Sequence, residues 1–172
     1  MKLFLDEKTF IDTSEPIDIS IPLSDTEDNP KAWYVEKPTF EPVRTANYIG
    51  SVLEGGNVNF RNVFFNPHGH GTHTECLGHI TEQVYSINNT LKTFFFKAQV
   101  VTIAPTERKN EDGNNDFVVL PSQIEDVIED CEALIIRTSP NSIGKKSMDY
   151  SATNPPYFDA KCVAILLERG IK

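Results

Sequence analysis

The sequence predicts an α/β fold, and three observations carry that prediction. In "PIDISIPLSD", Ile17, Ile19, Ile21 and Leu23 fall at every second position, the period of a half-buried strand. "NVNFRNVFF" is rich in β-branched and aromatic residues, the composition of a second strand. "PSQIEDVIEDCEALIIRTS" reads as a helix running into a buried strand, the repeating half-unit of an α/β protein. With 39% apolar and 24% charged residues in 172, the composition fits one soluble domain spanning residues 1–172, a mixed sheet with packed helices.

Taken in order, Ile17–Leu23 forms the opening strand, with Pro22 placing it at an edge or strand end. Residues 24–56 scatter Pro, Asp, Asn and Gly among isolated aromatics such as Trp33, Tyr34 and Phe40, and read as long connections closed by a turn at Gly55 and Gly56. The Val58–Phe65 strand then runs directly into "NPHGHGTHTECLGH". "FFFKAQVVTIA" supplies a further strand, and "PTERKNEDGNND", without periodicity, reads as an exposed loop.

The following helix is given a capping box by Ser122 and Glu125 and an apolar stripe by Ile124, Val127 and Ile128, and "ALIIRT" is its strand. A second helix follows "NPPYF". Asn154 or Asp159 is its N-cap, Val163, Leu166 and Leu167 its stripe, and Gly170 its C-cap. Only Ile171 and Lys172 remain, so the pattern stops where the next strand should start and predicts a C-terminally truncated unit.

Composition narrows the function classes. A net charge of −9, from sixteen Lys and Arg against twenty-five acids, argues against nucleic acid and anionic membrane as partners. Three widely spaced cysteines, Cys76, Cys131 and Cys162, do not form a disulfide framework; Cys131 and Cys162 are expected in the core. No signal peptide or membrane-spanning stretch is apparent, so a cytoplasmic protein is expected.

All four histidines of the chain lie between positions 68 and 79, with Glu75 and Cys76 among them. Imidazole and carboxylate are the usual ligands of zinc, manganese and iron, and local spacing gathers them at little cost in backbone entropy. In an extended segment His73, Glu75 and His79 share one face, and His68 returns to it if Gly69 and Gly71 allow a bend through positive φ. A flexible histidine-rich surface loop is the bland alternative, and Cys76 is as readily a small packed residue as a ligand.

"GTHTECLGH" resembles the signature of the metal-dependent cyclase family that includes bacterial kynurenine formamidases and isatin hydrolases, whose members carry H-x-x-x-H-x-D-x-x-x-H around Gly-Thr-His. "DISIPL", "ALIIRT" and "NPPYF" are similar to other segments of that family. The resemblance implies a swivelling β/β/α fold, hydrolysis of an amide, formamide or lactam C–N bond by metal-activated water, and a homo-oligomer, dimer or tetramer. It assigns His73 and Glu75 as metal ligands, Glu75 standing where the family has aspartate, and His79 as the proton-transfer residue. The family's first ligand falls on Gly69, flanked by His68 and His70, with His68 favoured because it follows the rigid Asn66-Pro67 pair. The cofactor implied is one divalent cation, zinc or manganese, and the partner a small-molecule substrate. Two-metal members draw a later His and Glu, and no histidine follows His79. That gap keeps a second reading in view, an inactive truncated relative serving as a metal-binding or assembly protein.

Overall fold

The computed structural model describes residues 1–172. Strands β1 (Lys2–Phe4) and β2 (Phe10–Asp12) make an antiparallel hairpin. β3 (Thr39–Pro42) is followed by the two-residue strands β4 (Arg44–Thr45) and β5 (Tyr48–Ile49), which pair with each other, and by β6 (Arg61–Phe64), antiparallel to β3. Of two short helices, α1 (Pro67–His70) opens the histidine segment and α2 (Ile87–Thr90) follows it. The C-terminal half contains β7 (Ala98–Ile103), β8 (Thr106–Lys109), β9 (Asn115–Val119), α3 (Pro121–Ile124), β10 (Ala133–Thr138), β11 (Tyr157–Phe158) and α4 (Lys161–Glu168). The class is α/β, as expected, but the strands lie in five separate sheets of two or three strands.

The core lies in the C-terminal half. β7 and β10 are parallel, and Val101, Ile103, Leu134 and Ile136 face inward onto Val119, Ile124, Ile128, Cys131 and Cys162. Parallel neighbours need a crossover, and here β8, β9 and α3 provide it. Cys131 and Cys162 are buried, as expected. Of the expected stripes only parts turn inward: Ile124 and Ile128 are buried while Val127 is exposed, and α4 packs Cys162, Ile165 and Leu166 while Val163 and Leu167 face out. Helix α4 ends in a Schellman motif, with Gly170 at φ +72, its N–H on the Leu167 carbonyl and the Ile171 N–H on that of Leu166.

Three expectations are corrected. Residues 17–23 form no strand, and Ile17 and Ile19 are 89% and 78% exposed, because no edge is present for their alternation to pair with. "PTERKNEDGNND" is not a loop but the β8–β9 hairpin, whose turn is closed by the Asn110 carboxamide oxygen accepting the N–H groups of Asp112 and Asn114, with Gly113 at φ +80. The helix at 121 starts without the Ser122–Glu125 box. Gln123 Oε1 accepts the Leu120 N–H at 2.9 Å instead, and Pro121 occupies the first helical position, where a missing N–H costs nothing. No helix is long and apolar enough to cross a membrane.

Candidate metal centre

The site is built from the end of β6. Asn66 caps α1, its side-chain oxygen accepting the N–H groups of His68 and Gly69 at 2.9 and 3.2 Å, and Pro67 takes the first helical position. This single turn sends His68 and His70 to different places. His70 is 3% exposed, its Nδ1 accepting the Asn66 N–H at 2.8 Å and its Nε2 donating to the Glu36 carbonyl at 2.7 Å. Both of its nitrogens are occupied by backbone. His68 faces solvent and reaches across to Glu75.

The turn does not use glycine in the way expected. Neither Gly69, Gly71 nor Gly78 has a left-handed φ, and Gly71 at φ 168 is simply extended. Gly69 is required by space: a Cβ there would meet Val35 Cγ2 at 2.7 Å. Gly78 is required likewise, since a Cβ would lie 2.5 Å from the Tyr85 carbonyl oxygen. These close approaches hold the two histidine-bearing turns against their neighbours.

Beyond Gly71 the backbone is extended, so His73 and Glu75 fall on one side, and a short 3-10 turn, Leu77–His79, carries His79 back toward them. Three imidazoles converge on one carboxylate oxygen. Glu75 Oε1 lies 2.7 Å from His68 Nδ1, 3.0 Å from His73 Nε2 and 3.7 Å from His79 Nε2. The His68 and His79 rings stack at 4.3 Å, and His73 meets His68 edge-on at 5.0 Å. The hydrogen bonds from His73 and His68 hold the Glu75 carboxyl below its ordinary range. The Gly71 carbonyl on His73 Nδ1, and then Glu75 itself, push the His73 imidazole up.

The donor set fits a divalent cation. One ligand atom from each of His68, His73 and Glu75 lies within 4.8 Å of the others, in a range that includes the roughly 3.3 Å donor spacing implied by zinc bonds of about 2 Å in a tetrahedron. His73 also has the orientation of a metal-binding imidazole: Nδ1–H donates to the Gly71 carbonyl at 3.0 Å, which leaves Nε2 to face the centre. His79 stands behind the Glu75 oxygen at the longest of the three distances.

A recess of about 520 Å³ opens on the cluster and is lined by Trp33, Asn66, His68, His73, Glu75 and His79. Trp33 and Tyr34 both lie in the left-handed region, at φ 59 and 58, which costs of order 1–3 kcal/mol for each non-glycine residue. The Tyr34 N–H on Ser151 Oγ at 3.0 Å fixes that strained turn, and Trp33 is presented beside the histidines. Of the other aromatics, Phe65 borders a separate recess with His70 and His73. Of the three aromatics the sequence offers as walls of a substrate pocket, Trp33, Tyr34 and Phe65, only Trp33 lines the recess at the cluster. Its partners at 69 and 148–151 are too distant in sequence to signal that placement.

No curated protein matches the chain. The family model described as "Putative cyclase" matches residues 17–172, all but the first sixteen positions. The match takes in the histidine cluster, the Trp33 turn and the whole C-terminal core, and on that basis the chain belongs to the cyclase family.

Proposed function

We propose that the chain is a metal-dependent hydrolase of a small amide, formamide or lactam, similar to an arylformamidase. The observation that carries this is the convergence of His68, His73 and His79 on Glu75 Oε1 at the mouth of a recess walled by an indole. His68, His73 and Glu75 would hold a divalent cation, zinc or manganese, which when bound polarises a carbonyl oxygen and acidifies water. The remaining chemistry belongs to the chain. His79 Nε2 takes the proton of the attacking water and returns it to the leaving nitrogen as the C–N bond breaks and a carboxylate and an amine are formed. The Gly71 carbonyl holds the His73 ring, and Trp33 offers a face on which a planar substrate stacks while displacing water.

The test uses metal-reconstituted protein and aryl formamides. His79→Ala is expected to retain near-stoichiometric metal while turnover falls by about 10²–10⁴-fold. Loss of metal in that variant would make His79 a ligand instead. The non-catalytic reading is favoured by one feature, the exposure of His68, His73 and Glu75 to solvent. It would take over if the reconstituted chain binds zinc or manganese through Glu75 and hydrolyses no formamide or lactam.

A further inference from the structure

A larger recess, of about 600 Å³, lies on the other side of His68, and its wall carries charge of the opposite sign to the chain as a whole. Lys31, Lys145 and Lys146 line it together with Tyr150 and one carboxylate, Asp18. The Asp18 carboxylate is turned onto its own segment, one oxygen accepting both the N–H and the Oγ–H of Ser20 at 2.9 and 2.6 Å. Lys31 is partly neutralised by Asp149 at 3.6 Å. Lys145 and Lys146 form no ion pair, in a protein with nine more acidic than basic residues.

Backbone contacts connect this cationic wall to the histidine cluster. Tyr150 donates its hydroxyl to the Lys145 carbonyl at 3.0 Å, holding the Ile143–Ser147 turn. Its own N–H reaches the Lys31 carbonyl at 2.7 Å, and the Lys31 N–H returns to Met148. Ala32 then donates to the Gly69 carbonyl at 2.9 Å, next to His68. The turn that carries Lys145 and Lys146 is therefore tied by backbone hydrogen bonds to the segment beside the first histidine of the centre.

We propose that this recess binds the carboxylate of an anionic ligand, with Lys145 and Lys146 as its counter-ions. The anion site stands independently of the hydrolase reading. Exposed ammonium groups contribute modestly one by one, but two unpaired lysines lining the same recess give a selectivity that salt weakens.

Trp33 is the only tryptophan of the chain; it lines the smaller recess and adjoins Ala32 in the wall of the larger one, so its fluorescence serves as the binding signal. The zinc-loaded 172-residue chain would be titrated with benzoate and with its neutral analogue benzamide. Benzoate is expected to bind about tenfold more tightly. In the Lys145→Gln, Lys146→Gln double variant that preference should vanish while benzamide binding is unchanged, which also shows that the variant is folded. Equal affinities in the wild type, no benzoate binding, or a preference that survives the double variant would each overturn the anion site, the last by placing the carboxylate on the histidine centre. Hydrolysis of formanilide without a benzoate preference leaves the hydrolase reading intact and removes this one. A lysine-dependent preference without hydrolysis of any formamide does the reverse.

Discussion

His68 and His70 stand two positions apart and have opposite roles, one facing solvent toward Glu75 and the other buried between two backbone groups. Substitution should separate them. His70→Ala leaves the Asn66 N–H and the Glu36 carbonyl without partners and is expected to destabilise the chain by about 2–3 kcal/mol, read as a lower melting temperature. His68→Ala, at an exposed position, should leave the melting temperature of the metal-free protein nearly unchanged and remove the metal, read by elemental analysis. The reverse pattern would assign the centre to His70. Glu75 invites a companion test, because the resemblance sets it where relatives have aspartate and its Oε1 is where all three imidazoles point. Glu75→Asp withdraws that oxygen by one methylene, and metal affinity is expected to fall at least tenfold. Glu75→Gln, which removes the charge and keeps the length, should abolish binding, and unchanged affinity in that variant would show that the carboxylate is not a ligand.

At the scale of elements, the readable parts were those whose signal is local. "ALIIRT" is β10 residue for residue, and Gly170 ends α4 in the left-handed conformation expected of a C-cap. Gly170→Ala should accordingly cost about 1 kcal/mol, measured by denaturant unfolding. The histidine centre was legible for the same reason, since His68, His73, Glu75 and His79 lie within twelve residues. What failed depended on partners far along the chain. Ile17–Leu23 alternates correctly with no edge to join, and Thr106–Lys109 is a strand without apolar alternation because its register comes from β9. Neither Trp33 nor Lys145 reaches its recess through local pattern; the pairing of Lys31 with residues 148–150 brings them there. Asp116 on β9 shows such long-range tying in a testable form. It accepts from Asn154, Tyr157 and Asn110, and these bonds, Asn154 first, hold its carboxyl below the ordinary range. A depressed folded value means that the stabilisation is complete above the unfolded pKa of about 3.9 and is lost as pH falls through the folded value. Asp116→Asn is expected to lower stability at pH 6 and to flatten its decline below pH 4, measured by acid titration of unfolding. An unaltered acid limb would show that this network does not contribute.

The molecule as a whole exposes more surface than its mass accounts for. A compact monomer of 19.3 kDa exposes roughly 8,500 Å². This chain exposes 13286 Å², and only 15 of its 172 residues are buried. Much of the excess is apolar and organised. Val100 and Ile135, in register across the β7–β10 pair, are 65% and 47% exposed on the outer face, and Phe60, Phe64, Phe65, Phe94 and Phe95 are all at least half exposed. Patches of this extent mark interaction surfaces, and a stable interface needs about 800 Å² from each partner, considerably less than what is available here. We propose that further copies of this chain cover that surface, because homo-oligomers with closed symmetry are the commonest solution and the acidic charge disfavours nucleic acid. The expected outcome of light scattering coupled to size exclusion is a mass of two or four times 19.3 kDa at micromolar concentration. Because dissociation then precedes or accompanies unfolding, the melting temperature should rise with protein concentration. Substituting Ile135→Glu on the outer face should shift the mass downward without abolishing the buried half of the sheet, since the inward positions Leu134 and Ile136 are untouched. A concentration-independent species of 19.3 kDa would refute the self-association, and a mass unchanged by Ile135→Glu would move the interface to another of the exposed faces.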